Sequence, residues 1–408
     1  MTASTHDQSK GWFNQRFPAA KLWREHASEY YAPKNFNFWY YFGSLALLVL
    51  VNQILTGIFL TMHYNPSAGH AFDSVAFIMR DVPWGWLVRY MHSTGASLFF
   101  VVVYLHMFRG LLYGSYKSPR ELIWIFGVVI FLCLMAEAFM GYVLPWGNMS
   151  YWAANVIISL FGAIPWVGNT LETWIKGSFA VSDPTLNRFF ALHVVAVPLL
   201  LVGLVVAHVM ALHEVGSNNP DGVEIKDHKD EQGIPLDGIP FHPYYTVKDM
   251  VGVMAFLVIF ALIVFFMPTF FGHFLEGPNF TPANPVQTPP HIEPAWYFTP
   301  FYAILRAIPN KLAGVIALAC SVLIFFFLPW LDRSPVKSIR YKSWPFKVAL
   351  VIFTVSFLAL GWLGTEPPTP FYRNLGRVFA VLYFGFFILM PLYSRWGKTK
   401  PVPERVTK

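Results

Sequence analysis

Four histidines stand inside strongly apolar stretches of this chain, at spacings that could do metal chemistry. His92 and His106 lie fourteen residues apart in RYMHSTGASLFFVVVYLHMFR, and His193 and His208 lie fifteen apart in FFALHVVAVPLLLVGLVVAHVMALH. At about 1.5 Å rise and roughly 100° per residue, a fourteen-residue interval puts both rings on nearly one helix face, about 21 Å apart along the axis. They would then occupy different depths of a hydrocarbon layer about 30 Å thick. Two such helices each offer one imidazole at each of two depths, so facing each other they can clamp two haems edge-on. Imidazole suits haem iron, and a centre with both axial positions filled carries electrons and leaves no open site for oxygen. A single intramembrane histidine can also serve a neighbouring helix as a hydrogen-bond partner, but four at matched depths favour ligation. The fifteen-residue interval would turn the second ring by about 60° in an ideal helix. Pro198 lies between those two histidines, and a kink or local bulge there would absorb the extra residue.

The helices beside these must leave room for a flat macrocycle. Gly43 and Gly57 in one apolar run, and Gly127 and Gly141 in another, repeat the fourteen-residue period. Glycine costs helix stability, so the shared period points to close approach of a cofactor, with ordinary small-residue helix packing as the alternative. Arg89 and Arg109 each lie three residues from a histidine. They could pair with haem propionates or snorkel to the interface.

Of the 408 residues 55% are apolar and 12% charged, about half the charged fraction of a soluble domain. The expected class is an all-α polytopic membrane protein with eight transmembrane helices near 39–62, 86–113, 122–145, 187–212, 249–270, 313–330, 346–363 and 375–393. Residues 1–38 form an N-terminal interfacial part, in which 11–31 mix basic and aromatic side chains as a helix on the membrane surface would. Residues 39–220 make a four-helix di-haem bundle, 221–248 a connecting loop, 249–395 a C-terminal four-span module, and 396–408 a tail. Within them, 148–186 reads as one or two helices too short to cross, and the proline-rich loop 272–311 cannot be one regular helix. Twenty lysines and arginines fall on the side of both termini against seven on the other, so both termini are expected in the cytoplasm. The net charge of +7 is then a topology signal, not a sign of nucleic-acid binding. Cys133 and Cys320 lie in apolar runs and imply neither a disulfide nor a thiolate metal site.

The blocks FNFWYYFGS, QILTG, RYMHSTGAS, FMGYVLPWG, HEVGSNNP, HPYYTVKD, PAWYF and AILRAIPNK, in that order, resemble the cytochrome b family over residues 30–395. That family is the haem-bearing part of ubiquinol:cytochrome c oxidoreductases. The resemblance implies bifurcated quinol oxidation at an outer site, electron transfer through two b-type haems, and quinone reduction at an inner site, coupled to proton translocation. It implies His92 and His193 on the low-potential haem and His106 and His208 on the high-potential one. It implies a homodimer in a bacterial inner membrane, with a Rieske-type iron-sulfur protein and a membrane c-type cytochrome as partners and ubiquinone as the substrate. For the inner quinone site it points to His213, Ser217, Lys248 and Asp249. For the outer pocket it points to Tyr142, Phe139, Tyr297 and Tyr302. There the family's Pro-Glu-Trp-Tyr is Pro294-Ala295-Trp296-Tyr297, so the usual proton-accepting carboxylate is missing. Glu293 and Glu137 are the expected substitutes; the first could instead be a solvated loop charge and the second a neutral hydrogen-bonded group. Ala153, where sensitive members carry glycine, implies weak inhibition by strobilurin-type compounds. Two other classes remain to be distinguished: the di-haem anchor of another quinone-linked dehydrogenase, and a secondary transporter with histidines in a proton path.

Overall fold

The computed structural model describes residues 29–407 together with Arg16 and Lys21, so most of the interfacial helix expected over 11–31 lies outside the described residues. Twelve helices of functional interest follow in chain order. They are α1 (Tyr41–Thr61), α2 (Ala71–Arg80), α3 (Gly85–Tyr113), α4 (Glu121–Val143), α5 (Asn148–Phe161) and α6 (Gly168–Lys176). After them come α7 (Asp183–Val215), α8 (Thr246–Phe266), α9 (Thr299–Ala307), α10 (Lys311–Leu331), α11 (Trp344–Thr365) and α12 (Pro370–Ile388).

Seven of these, α1, α3, α4, α7, α8, α10 and α11, are long and apolar enough to cross a membrane. The eighth expected span is present as α12, but its first turns carry Arg373, Asn374 and Arg377, which dilute its apolar character. Leu199, Val206 and Met210 on α7 and Met254, Val258 and Leu262 on α8 face outward, as side chains meeting lipid would. The stretch 148–186 forms α5 and α6, both too short to span, as its interrupted pattern requires.

α3 packs along α1, and α4 packs along α7, which builds the four-helix bundle. Its core is aromatic and aliphatic: Val49, Leu50, Phe99, Phe100, Val103, Phe131 and Leu134 interlock at its centre. A second core joins α9, α10, α11 and α12 around Phe353, Leu360, Tyr383 and Phe387. The fifth span departs from the expected division at 249. α8 lies on α1 and α3, because Phe256 and Phe260 pack into Leu98 and Val102, so it belongs by contact to the first bundle.

On the side of the termini, strand β1 (Tyr31–Pro33) pairs antiparallel with β2 (Gly238–Pro240) and ties the start of the chain to the connecting loop. Three carboxylates anchor this face. Arg120 forks onto Glu224, Arg340 and Tyr341 reach Asp221, and Lys34 and Arg405 hold Asp237. On the opposite side the proline-rich loop is stapled to the start of α5. The Asn148 amide donates to Thr281, the Ala283 amide donates to Trp146, and Asn279 accepts from Ser150. The loop forms short turns at Gly277–Phe280 and Trp296–Phe298 before α9, consistent with its prolines.

Candidate functional site

α7 is not a regular helix. Its residues Leu192–Ala196 form one π turn, which begins beside His193 and ends two residues before Pro198. Such a bulge inserts one residue without breaking the helix, and it offsets the additional residue between His193 and His208. Both rings of α7 consequently face α3.

The four histidines come together as two pairs. The rings of His92 and His193 have centroids 6.3 Å apart with planes at 84°, and those of His106 and His208 also lie 6.3 Å apart, at 61°. A metal ion held by two imidazole nitrogens at about 2.0 Å each, with each ring centre about 1 Å further back, requires a centroid separation of roughly 6 Å. Edge-to-face ring pairs also occur at such separations, so it is the recurrence of one distance in two pairs fourteen and fifteen residues apart that favours ligation. Both gaps are wide enough for each imidazole pair to hold an iron between them. His106 Nδ1 and His208 Nδ1 are buried without a hydrogen-bond partner, as is Arg109 Nε. Arg109 also lies 5.1 Å over the Tyr40 ring, whose buried hydroxyl has no partner either. Orphaned polar atoms at this depth suit an anionic group such as a propionate. Arg89 sits one turn before His92 on the same helix.

Each glycine of the fourteen-residue period lies against one of the histidine rings. A Cβ on Gly57 would come 3.4 Å from His92, on Gly43 3.6 Å from His106, and on Gly127 3.4 Å from His208. At Gly141 the added carbon would collide with His193. α1 thus backs the histidines of α3, and α4 backs those of α7. The glycine period is there to let imidazole edges approach the neighbouring backbone.

On the side opposite the termini, the Tyr142 hydroxyl donates to the carboxylate of Glu276. Burial pushes the Glu276 carboxyl up to about 7; the Tyr142 hydrogen bond opposes this, and the nearby charge of Glu293 adds to it. Glu293 itself lies 3.5 Å from His291. Tyr302 donates to the Ile292 carbonyl at 3.3 Å and carries Arg306 over its ring. Tyr297 is buried, stacked 4.0 Å on Phe100, and Phe139 packs edge-on against Phe189. Ala295 and Ala153 are buried as well. Glu137, one of the two expected carboxylates, is engaged elsewhere: its Oε1 is 3.0 Å from His193 Nδ1. The structure therefore brings Tyr142 together with Glu276, a residue the sequence reading missed. Its signal was weak, a lone glutamate in a glycine- and proline-rich loop 134 positions from its partner.

On the side of the termini, His213 stacks on Tyr30 at 4.4 Å, and Ser217 hydrogen-bonds the Tyr30 hydroxyl at 3.0 Å. Burial raises that phenol above its ordinary range. Lys248 donates to the Phe36 carbonyl, and Asp249 accepts from Ser44. Tyr30, Phe241 and Tyr245 form a run of aromatic contacts, which continues to Phe36 and joins the His213 pair to the Lys248 pair. Tyr30 is a second residue the sequence reading did not single out.

Residues 27–216 match the family described as cytochrome b/b6/petB, and residues 282–384 match cytochrome b(C-terminal)/b6/petD. The cytochrome b of Allochromatium vinosum is 62% identical over 408 residues, 98% of each chain. The cytochrome b of Rickettsia typhi is 50% identical, covering 98% of this chain and 99% of that protein. A chain of a hyperthermophilic respiratory complex III superposes with a TM-score of 0.87 at 42% identity, over 94% of this chain and 98% of that one.

Proposed function

The chain belongs to the cytochrome b family, and from that premise we propose how its residues divide the work of a quinol-oxidising membrane complex. It is the cytochrome b subunit of a bc1-type respiratory complex III, a ubiquinol:cytochrome c oxidoreductase. The family binds b-type haem and interacts with quinone.

In the proposed arrangement, His92 and His193 hold the outer, low-potential haem, and His106 and His208 hold the inner, high-potential one. The observation that carries this is the equal 6.3 Å separation in both pairs, each backed by its own glycine. Arg89 and Arg109 face the propionates. Two b haems, when bound, supply a one-electron conductor between the two sides of the membrane. Neither the anchor of another dehydrogenase nor a secondary transporter is favoured by any observation.

At the outer pocket, quinol must lose two protons as two electrons leave, one to a Rieske-type iron-sulfur protein and one toward the inner side. Glu276 is placed to accept one of these protons. Tyr142 fixes its carboxyl, and a carboxyl that titrates near 7 is matched to a general base at neutral pH. Glu293 and His291, the next ionisable groups, carry the proton outward. Tyr302 and Phe139 shape the walls, and buried Tyr297 stacks on Phe100 of α3. At the inner pocket, His213 and Asp249 face the quinone carbonyls and deliver protons. Ser217 and Tyr30 orient His213, and Lys248 offsets the developing negative charge.

The working unit is a homodimer in a bacterial inner membrane with both termini cytoplasmic, joined by the iron-sulfur protein and a c-type cytochrome subunit. A reduced-minus-oxidised spectrum of the purified complex, with cytochrome c reduction by quinol, tests the proposal. Two b-type haems and quinol-dependent turnover are expected; a colourless chain or a single haem would defeat it.

A further inference from the structure

Proton acceptance at the outer pocket leaves one intramembrane carboxylate unused. Glu137 stands on α4 in an apolar run, where a carboxylate is costly unless something engages it. His193 does: its Nδ1 lies 3.0 Å from Glu137 Oε1 and 2.9 Å from the Glu137 backbone oxygen, so one N–H is shared between two acceptors of a single residue. Resting on the assignment of His193 to the outer haem, we infer that Glu137 is a positioning residue that lowers the midpoint potential of that haem through the His193 imidazole.

The physical chain is short. An acceptor on Nδ1–H fixes the tautomer that leaves Nε2 free for a metal, and it makes that nitrogen a stronger donor. A stronger donor favours the oxidised metal, which lowers the potential. The other ligands are treated differently. His92 Nδ1 meets the Thr56 hydroxyl at 2.9 Å, and because Thr56 gives its own proton to the Asn52 carbonyl at 2.6 Å, it can accept from His92. His106 Nδ1 and His208 Nδ1 make no close hydrogen bond, and the one group facing His208 is the neutral Ile123 carbonyl. The close acceptors serve the outer pair, and the only carboxylate among the partners of the four rings serves His193. The asymmetry makes electron flow from the outer to the inner haem downhill.

Potentiometric titration of the haem absorption in membranes carrying Glu137→Gln tests this. The near-isosteric amide keeps the space filled and replaces the carboxyl group that meets His193 Nδ1. We expect both haems to remain, the lower-potential component to move upward, and the higher component to stay in place. Glu137→Asp should restore part of the shift. A lower component unmoved in Glu137→Gln, with haem content intact, would overturn the inference. So would equal movement of both components, which a general loosening of the bundle would produce. His193→Leu separates this inference from the ligand assignment beneath it: if both haems survive in that variant, the assignment itself fails.

Discussion

The two histidine pairs share a centroid distance but differ in almost everything around them. The outer pair is surrounded by acceptors: Thr56 on His92, and the carboxylate and carbonyl of Glu137 on His193. Its glycine at 141 is in such close contact that no Cβ would fit. The inner pair has no close hydrogen bond at either Nδ1 and no carboxylate beside it, and a looser glycine, Gly43, with room for ordinary contact. On the proposed ligation, two sites built on the same helices would bind the same cofactor and hold it at different potentials. What differs is the second layer of side chains, not the ligands.

The contrast predicts unequal responses to matched substitutions, and the largest is at the glycines. Gly141→Val should push His193 aside and cost the complex its outer haem, seen as loss of the lower-potential component and about half the haem absorbance. Gly43→Ala, whose Cβ would meet His106 only at van der Waals distance, should retain both haems. If the two variants behave alike, the difference in backing between the pairs is not real.

Next in size is the pocket beside the outer pair. Glu276→Gln should lower quinol oxidation by about 10²-fold, the lower end of a general base's contribution, while leaving both haem potentials unchanged. The sign of the pH dependence follows from the raised carboxyl. Only the ionised form accepts a proton, so the wild-type rate should climb as pH rises through about 7, and the variant should lack that limb. A pH-rate profile checks both. Retention of the climb in the variant would move the role to Glu293.

The smallest effect is expected at Thr56. Thr56→Val removes a neutral acceptor from His92 and should raise the outer potential by less than Glu137→Gln does, again without moving the inner component. A redox titration of the two variants side by side orders them.

Much of this was visible in the chain itself, because membrane helices announce themselves by composition and the histidines and glycines share one period. Even the π turn in α7 was foreshadowed by a fifteen-residue interval with Pro198 inside it. The allegiance of α8 was not, since an apolar span does not say which neighbour it meets. The role of Glu137 was half legible: its cost in an apolar run marked it as engaged, but its partner lies 56 residues away on another helix. Glu276 and Tyr30 were hidden for a related reason. Each acts only because a distant staple, the α5 clasp on the proline-rich loop or the β1–β2 pairing, delivers it to its partner. Periodicity reports on helices, whereas loop residues gain meaning only from tertiary contact.

The most direct measurement is a redox titration of haem absorption in the His193→Leu variant beside the unaltered protein. The account predicts two one-electron components in the latter and, in the variant, loss of the lower one alone. Loss of the higher component, or survival of both, would contradict it.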